Sequence, residues 1–285
     1  MSQANMSQAS ASNLKNPFDA PEHQPFVMGE SDHKVLLIHG FPGTPLEVRP
    51  LATYLAQHGF EAHAPLLPGF GSDIATLKDR TSADWIRAVG ETWDALAAKS
   101  KRCVLIGFSM GAAISMHVAS ERQAGDNAVK EAVYIAPFSR FDSPFAGVLA
   151  VLRYVKPWLK PFAKADFNDE SVREQFATMF PDANLDDPEV QAALRQEIVL
   201  PTSSLDELRR LGKSAKKYAA QQPPCLVLQG DADSVVTPAS TAKLVQKMPQ
   251  ATYIRIPDAT HELIKADAIG YKVMLEHLNH YLQDH

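Results

Sequence analysis

Cysteine is scarce: Cys103 and Cys225 are the only two in 285 residues. Each falls inside a short apolar run, so buried thiols are expected in place of a disulfide or a metal pair. No His/Cys/Asp cluster has metal-ligand spacing. His261-Glu262 opens like a zinc-binding His-Glu-x-x-His helix but lacks the second histidine. No metal and no cofactor are therefore expected. Long hydrophobic runs are missing as well, and none approaches the roughly 20 residues that cross a bilayer, so no stable membrane insertion is expected. Nor does one sign of charge dominate, since 28 Lys and Arg stand against 33 Asp and Glu for a net charge of −5. The basic residues are scattered, which argues against a nucleic-acid partner. The nearest basic cluster, Arg209, Arg210, Lys213, Lys216 and Lys217, is spaced along an expected helix and reads as a solvated face. Residues 1–16 are rich in Ser, Gln, Ala and Asn and hold no apolar stretch of a signal peptide. They read as a disordered tail, with the cytoplasm as the default location. None of these features fixes an oligomeric state.

What is present is a chain with 45% hydrophobic residues, enough for one α/β domain with a sizeable core. Strand and helix patterns alternate. Phe26-Val27-Met28 and 34–38 bracket a Gly29-Glu30-Ser31-Asp32 turn and predict an antiparallel edge hairpin. Helix is expected over 47–58, 82–99, from the residue after Ser109 to 122, over 238–248 and over 266–282. Strands are expected over 60–65, 102–106, 129–136, 225–229 and 251–256. This alternation implies a mostly parallel sheet covered on both faces.

From Phe138 to Leu211 the alternation stops. Residues 138–180 hold seven of the thirteen phenylalanines: Phe138, Phe141, Phe145, Phe162, Phe167, Phe176 and Phe180. Trp158 and Met179 add to them, and Pro144, Pro157, Pro161 and Pro181 chop any helix into short pieces. The expected organisation is a tail at 1–16, a core from 17–137 and 212–285, and a cap inserted at 138–211.

The most informative stretch is Gly107-Phe108-Ser109-Met110-Gly111, between the apolar run Cys103-Val104-Leu105-Ile106 and a helical segment. A serine on a sharp strand-to-helix turn is strained and projects its hydroxyl, and flanking glycines leave room for the turn. Downstream, Cys225-Leu226-Val227-Leu228-Gln229-Gly230 runs into Asp231-Ala232-Asp233, and the strand 252–256 ends in a loop that carries His261. Upstream, Val35-Leu36-Leu37-Ile38 runs into His39-Gly40-Phe41-Pro42-Gly43. Each candidate group thus sits just past the C-terminal end of an apolar strand, where open parallel sheets bind ligands. The order Ser, Asp, His is that of a nucleophile elbow with its acid and base.

On these residues, together with Ala64-Pro65-Leu66-Leu67-Pro68-Gly69-Phe70-Gly71, the chain resembles the α/β-hydrolase superfamily. It looks most like the bacterial carboxylesterase and monoacylglycerol lipase branch. The resemblance implies an α/β-hydrolase fold with a helical cap. It also implies cleavage of an apolar carboxylic ester of short to medium acyl chain through an acyl-serine. Ser109 is the nucleophile and His261 the base. Both Asp231 and Asp233 fit the acid by position. The family's acid is usually the last residue of Gly-x-x-Asp, which is Asp233, leaving Asp231 as a turn former that accepts loop amides. The oxyanion hole is expected from the N–H groups of Met110 and Phe41. The substrate wall is read as His39, Phe108, Phe138, Phe141, Phe145 and Val235, the phenylalanines of the cap roofing the site. A serine at 109 argues against the aspartate-dependent dehalogenase and epoxide-hydrolase branches. A thioesterase, an acyltransferase, a C–C bond hydrolase and a non-catalytic ligand-binding member remain as alternatives.

Overall fold

The computed structural model describes residues 17–160, 163–169, 172–173, 184–197 and 199–284. The expected tail at 1–16 and the cap residues Phe162, Phe176, Met179 and Phe180 lie outside them.

Strand β2 (His33–Ile38) shows how the sheet is built. Leu36 and Ile38 enter one hydrophobic cluster, Val35 and Leu37 the other. Strands β4 (Arg102–Phe108), β5 (Ala132–Ile135) and β8 (Cys225–Gly230) divide their side chains in the same way. Strands buried on both faces carry no polar alternation, which is why they read as continuous apolar runs. With β1 (Phe26–Met28), β3 (Glu61–Ala64) and β9 (Ala251–Ile256) they form one seven-stranded sheet, ordered β1-β3-β2-β4-β5-β8-β9. Only the β1–β3 pairing in it is antiparallel. Cys103 and Cys225 are free thiols on β4 and β8, and burial pushes both up to about 12.

The hairpin expected between the first two strands does not form. Val27 pairs with His63 antiparallel, and Val35 pairs with Ala62 parallel, so β3 lies between them. A crossover through α1 (Arg49–Gln57) returns β3 to the open edge of β2, and β1 takes the edge beyond it.

Helices α1 and α8 (Tyr271–Asp284) cover one face of the sheet. The other carries α2 (Ser82–Ala97), α3 (Met110–Glu121), α6 (Thr202–Tyr218) and α7 (Pro238–Val245). Thr81 starts α2 with a capping box: its hydroxyl accepts the Asp84 N–H, while the Asp84 carboxylate accepts the Thr81 N–H.

Between β5 and α6 lie α4 (Leu149–Val155), α5 (Pro188–Glu197) and a two-stranded antiparallel pair, β6 (Trp158–Leu159) with β7 (Leu200–Pro201). The border read at residue 211 runs through α6, a continuous helix whose Leu208, Leu211 and Ala215 pack in the same cluster as α3. Arg153 of α4 fastens this segment to α6, donating to Asp206 at 2.9 Å and Glu207 at 3.1 Å. Asp206 is fully buried and also binds Arg209 and Arg210. Those two arginines of the expected solvated face are therefore held by a buried carboxylate, while Lys213 and Lys217 are exposed.

Candidate active site

Strand β4 ends at Phe108 and α3 begins at Met110, leaving Ser109 alone in the turn with φ 53°. A non-glycine residue in that region costs on the order of 1–3 kcal/mol and persists only where its surroundings hold it. They do here: Ser109 N–H donates to Ile135 O at 2.9 Å, and Phe138 N–H donates to Ser109 O at 3.1 Å. The flanking glycines are steric necessities. A Cβ at 107 would press into the backbone of Ala112, and one at 111 would strike the Ile38 carbonyl.

His261 stands in the loop after β9. Its Nε2 is 3.1 Å from Ser109 Oγ and its Nδ1 is 2.8 Å from Asp233 Oδ2. The loops that carry the two residues are joined, because Ala232 N–H donates to Ala259 O at 2.9 Å. Asp233 is buried, and its Oδ1 accepts the N–H groups of Val235 and Val236, both at 2.8 Å. A carboxylate so held keeps the proton of His261 on Nδ1 and leaves Nε2 as the acceptor facing the serine. Asp231, the other candidate acid, points elsewhere and binds Arg255 Nε at 2.5 Å in place of the loop amides expected for it.

The loop after β2 is clamped by His39. Its buried ring donates from Nδ1 to Gly40 O at 2.9 Å and accepts the Leu67 N–H on Nε2 at 3.2 Å. Gly43 N–H reaches the same carbonyl at 3.2 Å. A trans peptide is planar, so fixing Gly40 C=O also fixes the opposite direction of the Phe41 N–H. Among the described residues that N–H has no acceptor. Met110, the first residue of α3, has no carbonyl one turn earlier within the helix.

The substrate wall differs from the sequence expectation. A cleft of about 110 Å³ opens at Ser109 and His261, with Phe41, Phe108 and Val235 as its apolar side and Glu47, Glu262 and Lys265 as its polar side. His39 is fully buried behind the loop and does not line it. Phe138 lies in the main core with Phe141 edge-on against it at 5.0 Å, and the Phe138 N–H donates to Ser109 O. The side chain of Phe145 lies outside the described residues. Among the described residues, none between 138 and 211 lines the cleft. A larger depression of about 340 Å³, at His117 and Arg122, shares no residue with it. Among the described residues no group of three or more His, Cys, Asp or Glu is placed to hold a metal ion, and no helix is long and apolar enough to cross a membrane.

Burial of the His39 ring lowers its pKa to about 4. The unfolded chain takes up that proton near pH 6.5 and the folded protein only near 4, so stability is lost as pH falls through this window. The loss amounts to about 3 kcal/mol at its fullest. Denaturant midpoints between pH 7 and 4 are expected to fall more steeply in the wild type than in His39→Asn, and parallel slopes would contradict the assignment.

Residues 35–267 match the sequence profile of the alpha/beta hydrolase family. The chain belongs to that family. A thermostable monoacylglycerol lipase of Bacillus sp. (strain H-257) is 33% identical over 96 residues, which is 34% of this chain and 38% of that protein. The carboxylesterase of Bacillus subtilis (strain 168) is 32% identical over 94 residues, 33% of this chain and 38% of that protein. The aligned stretch thus spans well under half of each relative. A solved structure reported with the metagenome-derived lipolytic enzymes LipS and LipT superposes with a TM-score of 0.72 at 21% identity, covering 93% of this chain and 99% of that one. At that identity the likeness carries the fold alone.

This alpha/beta hydrolase site also contains a residue the sequence reading passed over. Gln229 is fully buried at the end of β8, donates to Asp233 Oδ2 at 3.1 Å and accepts from Thr241 Oγ1 at 2.7 Å. An amide inside an otherwise apolar strand was the available signal, since such a group needs partners when buried.

Proposed function

We propose that the protein is a serine hydrolase of carboxylic esters with short to medium acyl chains. The observation that carries this reading is the hydrogen-bonded run from Ser109 through His261 to Asp233, beside the Phe41 and Met110 amides. In the first half-reaction Ser109 Oγ attacks the ester carbonyl while His261 Nε2 takes its proton. Asp233 stabilises the imidazolium, and the oxyanion accepts hydrogen bonds from the Phe41 N–H of the loop after β2 and from the Met110 N–H at the positive end of α3. Collapse breaks the bond to the alcohol oxygen, which leaves with the proton from His261. Water, deprotonated by the same nitrogen, then attacks the acyl-serine, and the acid and free Ser109 are released. The names of the two Bacillus relatives point the same way, each over about a third of this chain.

Chain-length preference is assigned to Phe41, Phe108 and Val235, the apolar side of the cleft, in place of the cap phenylalanines. Each methylene buried there contributes up to about 0.8 kcal/mol, roughly fourfold in kcat/KM. Two measurements test the proposal. A fluorophosphonate should modify Ser109 and no other serine. A p-nitrophenyl ester series, run beside a monoacylglycerol and an acyl-CoA, should climb through short and medium chains and then level off. Absence of labelling would remove the acyl-serine, and faster turnover of the acyl-CoA than of every oxygen ester would replace the reading with a thioesterase.

A further inference from the structure

Glu47 is the one acidic side chain of the cleft that comes from the oxyanion-loop side, and the mechanism above does not use it. It lies in the short 3-10 turn Pro45–Val48 just before α1. Its Oε2 accepts the Gly40 N–H at 2.8 Å. Its carboxyl group also fills the space beside the Gly43 Cα that any side chain at 43 would need. Two consecutive peptide planes of the loop are thereby pinned from opposite sides. Glu47 holds the plane that carries the Gly40 N–H, and His39 with Gly43 N–H holds the Gly40 C=O whose far end is the Phe41 N–H. With the first plane released, the second keeps only the His39 and Gly43 bonds, and the Gly40 Cα, with no side chain, adds little further restraint.

Resting on the acyl-serine reading, we infer that Glu47 is a positioning residue whose carboxyl group, bonded to Gly40 and packed under Gly43, aims the Phe41 amide at the oxyanion. Burial, with the negative charge of Glu262, raises the Glu47 pKa to about 7, against the Gly40 hydrogen bond and the positive charges of His261 and Lys265. The group is therefore about half protonated at pH 7. Glutamine, neutral and of the same shape, keeps an acceptor for the Gly40 N–H, whereas leucine keeps the volume and leaves that N–H unpaired.

The test compares Glu47→Gln with Glu47→Leu, and with Glu47→Ala should leucine prevent folding. Glu47→Leu is expected to lower kcat about 10- to 100-fold with KM nearly unchanged, somewhat less than loss of a whole oxyanion donor. Glu47→Gln is expected to restore kcat to within about threefold of wild type, because it keeps the hydrogen bond. The Ki of a reversible trifluoromethyl ketone, whose hemiketal with Ser109 carries the same oxyanion, should rise in step with the fall in kcat/KM. A merely structural residue would shift thermal midpoint without this correlation. Wild type that is labelled at Ser109, together with unchanged kcat and Ki in Glu47→Leu, overturns the positioning role alone. Wild type that resists labelling overturns the acyl-serine reading and this role with it.

Discussion

Ser109→Ala is expected to fold as the wild type does and to lose on the order of 10⁶ in kcat, because the members of a triad act as a unit. The substitution removes the oxygen 3.1 Å from His261 Nε2 and nothing that supports the turn, whose bonds to Ile135 and Phe138 are made by the backbone. Alanine has no greater difficulty than serine at φ 53°. Residual hydrolysis would come from binding and the oxyanion amides alone. Single-turnover assays with an activated ester, beside denaturant midpoints, separate loss of chemistry from loss of fold. More than about a tenth of wild-type kcat remaining would rule out Ser109 as nucleophile.

The acid gives the second large effect. Asp233→Asn is expected to cost about 10⁴ in kcat, since an amide facing His261 Nδ1 favours the wrong tautomer and leaves Nε2 protonated toward the serine. Asp231→Asn removes only a surface pairing with Arg255, and should change kcat by less than about fivefold, since exposed ion pairs contribute at most about 1 kcal/mol. Stopped assays on both variants at one pH decide the matter, and a larger loss in Asp231→Asn would reverse the assignment.

These two acids mark how far the sequence could be read. Buried parallel strands announce themselves as apolar runs, so β2, β4, β5 and β8 and the groups at their ends were legible. Asp231 and Asp233 differ by two positions in one loop, and spacing alone left both open. What separates them is tertiary: the His261 ring comes to Asp233, whereas Asp231 turns to Arg255. The aromatic composition of the cap marked a distinct segment but not its orientation. Phe138 is buried in the core and Phe141 packs against it partly buried, so neither roofs the cleft. Glu47 was read only as part of an ordinary helix start, because acidic residues near a helix N-terminus are common. Its contact with Gly40 exists only once the loop has curled back over it.

His261 hangs from β9, which is the outermost strand on its side of the sheet and pairs only with β8. Ser109 is set instead at the end of β4, the middle strand of seven. Edge elements open locally at lower free energy than central ones, without the molecule coming apart. Under rising denaturant, detachment of β9 would carry the base away from a nucleophile still held in an intact core. Inactivation should therefore run ahead of the loss of helix and of tryptophan burial, and return after them when the chain refolds.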